Sequence, residues 1–271
     1  MSISKPLGAG LIAGCIALSF ASASPAPVAA ADPSAPVPRG PDARLVLRVP
    51  VLMYHLVELS SVVPRAIPDL VVSPSTFETQ IKALYRAGWK TITAAQLAEY
   101  LATGTRPPAR SMVITFDDGT VNGYTNAFRI LKRYGYTATF YLIVGRIGVS
   151  PVYLTWPQVA EMLAAGMDVG NHTIGHPALS SLSGSSLAWQ IVRAQQIVKS
   201  QVGYSMTTIA YPSGNYDAEV FAAAEKAGLR MGFTTRTGAK ETWAGRFECP
   251  RVRVSPGTGG AGLVATLSRY D

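Results

Sequence analysis

The sequence contains very few of the residues that proteins use for disulfides and thiolate metal sites. Its 271 residues include two cysteines and three histidines. Cys15 lies in the amino-terminal segment considered below, so the rest of the chain holds one cysteine, Cys249. A single cysteine excludes an internal disulfide and also excludes a zinc site that needs several thiolates. Cys249 is therefore expected to be a buried strand residue.

Charged residues are also sparse, at 15% of the chain, whereas hydrophobic residues make up 48%. This balance excludes disorder and indicates a globular protein with a sizeable core. The net charge is +8, but there is no dense run of Lys and Arg, so nucleic acid is not an expected partner. The positive charge suits contact with an anionic cell wall or membrane surface, although solubility alone would also explain it.

The first 31 residues have the pattern of an export signal. Lys5 precedes an apolar stretch over 7–20, and small residues follow at 21–23 and 29–31. The stretch is too short for a transmembrane helix. We expect cleavage of 1–31, which would leave a net charge of +7, and export to the periplasm, the cell wall or the medium. A lipid anchor at Cys15 is the less favoured alternative.

The rest of the chain is predicted to form one α/β domain. Residues 32–47 indicate a flexible linker, and the domain spans 48–271 with its motif-bearing core at about 109–271. Strands are predicted near 49–54, 112–116, 138–144, 167–170, 207–211, 230–234 and 252–255. Helices are predicted after Ser75, after Thr93, over 122–134, after Thr155, and over 184–202 and 217–227. There is no nucleotide-binding glycine motif, and polar residues follow the strands, so a distorted parallel (β/α) barrel of about seven strands is favoured over an open sheet.

Two short segments carry chemistry. Asp117 and Asp118 follow a predicted strand and precede a glycine, and His172 and His176 lie four residues apart in a later loop. Two imidazoles and one carboxylate make a metal site with open positions for water and substrate. The second carboxylate is then free to accept a proton from the water. Either motif alone is common in surface turns and helices, but the two together at strand ends predict a catalytic metal site.

His55 is the remaining histidine and ends the first predicted strand. Hydrolysis of an amide requires protonation of the leaving nitrogen, and imidazole suits that task near neutral pH. His55 is therefore the candidate acid. The alternative is a histidine that merely packs at a strand end.

The segments Thr115–Gly119 and His172–Pro177 resemble the first two motifs of the NodB-homology polysaccharide deacetylases, carbohydrate esterase family 4. The resemblance implies a distorted (β/α) barrel, a divalent metal that is commonly zinc but also cobalt or nickel, and hydrolysis of N-acetyl groups on amino-sugar polymers. It implies that Asp117 is the general base. It also implies a set of metal ligands, namely Asp118, His172 and His176.

The segment Ala210–Gly214 resembles the third family motif, in which a backbone N–H, here that of Ser213, holds the oxyanion. The family's usual arginine is replaced by Ala210, and Arg251 or Arg253 is the candidate substitute. No histidine follows His176 to act as the usual late acid. An early Met-Tyr-His segment occurs instead in the subgroup that includes poly-N-acetylglucosamine deacetylases, and residues 52–55 are similar to it.

The sequence thus predicts a monomeric, metal-dependent deacetylase that acts on a polymer containing N-acetylglucosamine, such as poly-N-acetylglucosamine, peptidoglycan or a chitin-like chain. An O-acetyl esterase of the xylan type would use the same site. A non-catalytic polysaccharide-binding barrel is a further alternative, supported by the missing arginine. Aromatic side chains that could stack on sugars are Tyr124, Trp156, Tyr211 and Trp243, and each could instead be a core residue.

Overall fold

The computed structural model describes residues 45–59, 61 and 67–271. The predicted export signal, Cys15 and most of the predicted linker lie outside the described residues. Within the described ranges, no helix has the length and apolar character needed to cross a membrane.

Parallel strands form the centre of the domain. The strands are β1 (Val46–Leu47), β2 (Val51–Tyr54), β3 (Leu56–Val57), β4 (Val71–Val72), β5 (Lys90–Thr91), β6 (Ser111–Phe116), β7 (Thr139–Leu142), β8 (Asp168–Asn171), β9 (Thr208–Ala210), β10 (Met231–Thr237), β11 (Glu241–Thr242) and β12 (Cys249–Arg253). Seven of them pair in the order β2-β12-β10-β9-β8-β7-β6. Pairing of β2 with β6, in which Tyr54 lies opposite Phe116, closes the ring. The predicted barrel of about seven parallel strands is confirmed.

Helices cover the outside of the barrel. They are α1 (Pro74–Arg86), α2 (Ala94–Thr103), α3 (Arg129–Arg133), α4 (Trp156–Ala164), α5 (Gly184–Val202), α6 (Ala218–Lys226) and α7 (Gly260–Leu267). A π-helical stretch, Gly123–Phe128, leads into α3. The caps at Thr93 and Thr155 are confirmed, and both form capping boxes with a glutamine three residues later. The sequence did not predict α7 or the short strands β1, β3, β4, β5 and β11.

The predicted start of the first helix at Ser75 was wrong by two residues. Ser73 is the cap, because its hydroxyl accepts the backbone N–H of Thr76. Pro74 then occupies the first helical position, where its missing N–H costs nothing. Cys249 is buried as predicted, and burial raises the pKa of its thiol well above the ordinary value.

Helix α2 covers the end of the barrel at which the strands begin. The N–H of Ala94 donates to Thr139 Oγ1 (2.9 Å), and the N–H of Ala95 donates to the carboxylate of Asp168 (3.3 Å). Thr139 and Asp168 are the first residues of β7 and β8, so α2 is fastened to the amino ends of these strands. Because α2 covers this end, a functional site is expected at the carboxyl ends of the strands.

A buried carboxyl group in β11 holds the segment that leads into β2, the first strand of the barrel. Glu241 in β11 is fully buried, and its Oε2 accepts the backbone N–H of Val49 (3.1 Å) just before β2. Its Oε1 has no hydrogen-bond partner among the described residues. Burial raises the pKa of Glu241 to about 8, which means that the neutral acid is the stable form at this position near neutral pH.

Glu241 should make the stability of the metal-free protein depend on pH. Its pKa is raised from 4.5 to about 8, so the folded chain binds more protons than the unfolded chain between these values. The free energy of unfolding should therefore fall as the pH rises through this window. We expect Glu241→Gln to flatten the dependence and to be more stable than wild type at pH 9 by a few kcal/mol, on the order that such a shift implies.

Urea unfolding at pH 5, 7 and 9 measures this effect. Glu248→Gln is the matched control, because Glu248 is an exposed acid seven residues away. An unchanged slope of stability against pH in Glu241→Gln would contradict the role assigned to Glu241.

Candidate active site and metal centre

The sequence-predicted polar residues gather at the carboxyl ends of the barrel strands. His55 follows β2, Asp117 and Asp118 follow β6, His172 follows β8, and Ser213 lies just beyond β9. Parallel strands of a closed barrel end on the same face, so residues far apart in sequence meet there. This face lies opposite the end covered by α2.

Three side chains on this face offer donor atoms for a metal ion. Asp118 Oδ1 lies 3.6 Å from Nε2 of His172 and 3.6 Å from Nε2 of His176. One ligand atom from each of the three residues lies within 4.8 Å of the others. His172 is buried, whereas Asp118 and His176 are each nearly one-third exposed, so the site has one side open to solvent. The geometry is that of a candidate metal site with open positions.

The tautomer of His172 also fits a metal. Its Nδ1 lies 2.7 Å from the carbonyl oxygen of Ala210. A carbonyl can only accept, so Nδ1 carries the proton, and Nε2, which faces Asp118, is the nitrogen left to bind a metal. Metal-binding histidines usually show this arrangement, in which an acceptor behind the ring fixes its orientation. Ala210, which stands where the family has an arginine, thus contributes its backbone to the site.

A buried arginine holds the second carboxylate. Arg251 in β12 donates from Nη1 to Oδ1 and from Nη2 to Oδ2 of Asp117, both at 2.8 Å. Its Nε donates to the carbonyl of Thr234 (2.9 Å), and Nη1 also reaches Thr115 Oγ1 (3.2 Å). Arg251, rather than the exposed Arg253, therefore supplies the guanidinium that the third motif lacks.

This ion pair determines the charge of Asp117. Burial alone would raise the pKa of Asp117, but the charge of Arg251 and its two hydrogen bonds outweigh burial and hold the pKa well below its usual range. Asp117 is thus an ionised carboxylate, set beside the three metal-donor residues but not counted among them.

His55 lies on the other side of Asp117. Its Nε2 is 3.8 Å from Asp117 Oδ2, and its side chain is 15% exposed. Burial lowers the pKa of His55, and this effect exceeds the opposing influence of the two aspartates. The imidazole is therefore neutral near pH 7 in the metal-free protein. Asp117 has Arg251 on one side and His55 on the other.

Ser213 occupies a tight turn after β9. Its φ of 55° is in the left-handed region, and Gly214 follows with a φ of 73°. A Cβ on Gly214 would lie 2.2 Å from Thr235 Oγ1, so only glycine fits there. The N–H groups of Gly214 and Asn215 bond to carbonyls within the turn, whereas the N–H of Ser213 has no acceptor in the described part of the chain. A free N–H at this edge suits an oxyanion.

One positioning residue escaped the sequence analysis. Gln190 in α5 accepts the N–H groups of Ile174 (3.2 Å) and Gly175 (3.0 Å) on a single oxygen, Oε1. These two residues lie between the histidines, so Gln190 fixes the loop that carries the metal donors. Its only sequence signal is its place on the helix that follows the loop, which does not distinguish it from other polar helix residues.

The structure places two of the four candidate sugar-stacking aromatics away from the metal donors, where they pack as core residues. Tyr211 is 1% exposed and donates its hydroxyl to the carbonyl of Phe247, because α5 and α6 cover the outer face of β9. Trp243 packs half-buried against the cluster that contains Leu47 and Val49, which precede β2 at the covered end of the barrel. Neither ring is available to a ligand at the metal donors.

The other two aromatics lie among the outer helices. Tyr124 is half-buried and donates its hydroxyl to Glu161 of α4 (2.6 Å), and a contact of its ring with substrate stays a prediction. Trp156 is half-buried at the first position of α4 and packs against the main core. A contact of Trp156 with substrate stays a prediction.

Comparisons with known proteins agree with this geometry. A family model described as polysaccharide deacetylase matches residues 104–232, which contain both motifs and the turn at Ser213. The deacetylase PplD of Streptococcus pyogenes, solved in complex with acetate, superposes with a TM-score of 0.77 at 28% identity and covers 82% of this chain and 99% of that chain.

Two relatives found by sequence are also named as deacetylases. The chain is 34% identical over 220 residues to the polysaccharide deacetylase homologue YxkH of Bacillus subtilis, covering 81% of this chain and 76% of the relative. It is 28% identical over 204 residues to a poly-β-1,6-N-acetyl-D-glucosamine N-deacetylase of Staphylococcus aureus, covering 70% of each. The fold, the donor set and these relatives together show that the chain belongs to the polysaccharide deacetylase family of hydrolases.

Proposed function

We propose that this protein removes N-acetyl groups from a polysaccharide that contains N-acetylglucosamine and releases acetate. The observation that carries the proposal is an ionised Asp117, held by Arg251, beside the metal donors Asp118, His172 and His176, of which Asp118 and His176 are partly exposed to solvent. The deacetylase relatives support the same substrate class. Poly-N-acetylglucosamine, peptidoglycan and chitin-like chains all contain the acetamide that this chemistry requires.

The three donors fit a divalent metal, with zinc the first choice and cobalt or nickel also suitable, because imidazole and carboxylate ligands are shared by these ions. Such an ion would supply Lewis acidity that polarises the acetamide carbonyl and acidifies the attacking water. The other parts of the reaction fall to residues of the chain that do not bind the ion.

Asp117 acts as the general base. Its carboxylate is unprotonated and fixed in orientation by two hydrogen bonds from Arg251, so it can accept the proton of the attacking water without first reorienting. The backbone N–H of Ser213 donates a hydrogen bond to the oxygen that becomes negatively charged. A donor of this kind is typically worth roughly 3 kcal/mol of the barrier.

His55 protonates the leaving nitrogen. Its lowered pKa leaves the resting imidazole neutral, so the proton has to reach it during the reaction. Asp117 is the nearest source, with 3.8 Å between the carboxylate oxygen and Nε2. The proton taken from water thus passes through Asp117 and His55 to the amine, and the products are acetate and a glucosamine unit.

The amino-terminal sequence supports a proposal for where the reaction takes place. The predicted signal over 1–31 supports export, and the net charge of +7 after its removal supports contact with an anionic wall or membrane surface. We propose a monomeric enzyme at the cell surface, in the periplasm or outside the cell.

Acetate release by the purified, metal-loaded chain tests the function. Substrates are β-1,6- and β-1,4-linked N-acetylglucosamine oligomers, peptidoglycan fragments and acetylated xylan. We expect release from an N-acetylated substrate, loss of release on chelation, and recovery with zinc or cobalt. Asp117→Asn should reduce turnover by about 10²-fold or more, and His176→Ala should weaken zinc binding in calorimetry.

Each other result has a defined meaning. Release from xylan alone would replace the proposal with an O-acetyl esterase. Metal binding without release from any substrate would favour a binding module. Arg251 argues against a binding module, because it pairs with Asp117 and so supplies the arginine that is missing from the third motif.

His55→Ala tests the acid. We expect the variant to fold and bind zinc as wild type does but to lose about 10²-fold or more in kcat, since the amine would leave unprotonated. The measurement is the pH profile of kcat beside a zinc titration. Turnover close to that of wild type would remove His55 from the mechanism.

Arg251→Met tests the ion pair that holds the base. The change leaves a buried carboxylate without its partner, so the pKa of Asp117 should rise. The free energy of unfolding at pH 7 should fall by about 3–5 kcal/mol. Because the paired carboxylate stabilises the fold only while it is ionised, this difference from wild type should shrink as the pH is lowered.

Urea unfolding and the acid limb of kcat/KM measure the two effects. Arg253→Met is the matched control, since Arg253 is exposed and two residues away. Combining Arg251→Met with Asp117→Asn should recover part of the lost stability. Equal stability of the two single arginine variants would contradict the assignment.

A further inference from the structure

An exposed indole lies beside the loop of the metal donors. Trp189 in α5 is 57% exposed. Among the described residues, only one other aromatic side chain, that of Tyr85, is more than half exposed. An indole left in water does not gain the free energy of burying a large apolar surface, so this surface is available to a ligand that covers it.

Trp189 lines a surface depression of about 490 Å³. The other lining residues are Pro177, Leu182, Ser185, Ser186 and Gln190. Pro177 directly follows the metal donor His176, and Gln190 bonds to the backbone between the two histidines. The depression therefore adjoins the loop that carries the metal donors.

The lining chemistry fits a sugar ring. The indole, the proline and the leucine offer apolar surface for the C–H face of a pyranose, while two serine hydroxyls can bond to its hydroxyl groups. The depression has no carboxylate among its lining residues, and the guanidinium of Arg193 lies 5.9 Å from the indole centre. A neutral N-acetylglucosamine unit suits this surface better than a protonated glucosamine.

We propose that Trp189, with Pro177, Ser185 and Ser186, forms a subsite for a second, still acetylated unit of the polysaccharide whose neighbouring unit is deacetylated at the metal centre. The inference rests on the proposed function and adds to it: the enzyme prefers oligomers long enough to fill both places. Trp189 supplies binding surface and takes no part in the proton transfers.

The test compares substrates of increasing length, from one to five N-acetylglucosamine units. Wild type should gain kcat/KM with length, and Trp189→Ala should reduce that gain by about 3- to 10-fold, the range expected for one lost ring contact. Trp189→Phe should restore part of it. The matched control is Tyr85→Ala, because Tyr85 is as exposed but lies beside β5 at the amino ends of the strands.

Binding is measured separately from turnover, by calorimetry with five-unit oligomers. The two proteins compared are Asp117→Asn and the double variant that carries both Asp117→Asn and Trp189→Ala. Weaker binding only in the double variant supports the subsite, even if no substrate is hydrolysed, in which case the proposed function alone fails. Equal binding, or the same length dependence in wild type and Trp189→Ala, would overturn the inference. Loss of zinc affinity in Trp189→Ala would also overturn it, because the residue would then act by supporting the loop.

Discussion

The ion pair between Arg251 and Asp117 is the constraint on which the site depends. Both side chains are buried, and a charge buried without a partner would cost several kcal/mol. The guanidinium offsets this cost because it donates hydrogen bonds to Asp117, to Thr115 in β6 and to the carbonyl of Thr234 in β10. It therefore connects three strands across the barrel interior, and Asp117 keeps its position only while the barrel is closed.

The backbone beside this pair is strained where function requires it. Among the described residues, five that are not glycine have positive φ, and four of them are Asp118, Thr173, His176 and Ser213. Such conformations cost on the order of 1–3 kcal/mol each and persist only if their surroundings fix them. The histidine loop meets that condition, because Asn171, Thr173 and Gln190 side chains accept its backbone N–H groups.

The sequence predicted those parts of the molecule whose signal is local. Spacing identified His172 and His176, caps identified Thr93 and Thr155, and the alternation of strands and helices predicted the barrel. The partner of Asp117 was narrowed to Arg251 or Arg253 but not resolved, because two residues that are two apart lie on the same face of a strand. Their positions along β12 make the difference: Arg251 lies within the strand and is buried, whereas Arg253 is its last residue and is exposed.

The aromatic residues show more clearly that distance along the sequence does not predict which side chains lie near the site. Tyr211 lies next to the turn at Ser213 in sequence, but the direction of its side chain is set by the end of β9 and by the helices that cover it. Trp189 lies 13 residues beyond the second histidine, with no motif around it. The helix that carries it turns back onto the loop, so its position near the metal donors is a tertiary effect that residue spacing does not reveal.

Closure of the barrel also explains how an early histidine can serve the site. β2 pairs with β12 on one side and with β6 on the other, so the first barrel strand lies between the strand of Arg251 and the strand that leads to Asp117. His55 follows β2 directly and so lies next to Asp117 although 62 positions separate them. In a ring of strands the neighbour of Asp117 is set by pairing and not by chain order. A histidine from the first strand of the barrel can therefore lie beside Asp117, as the proposed role of His55 requires.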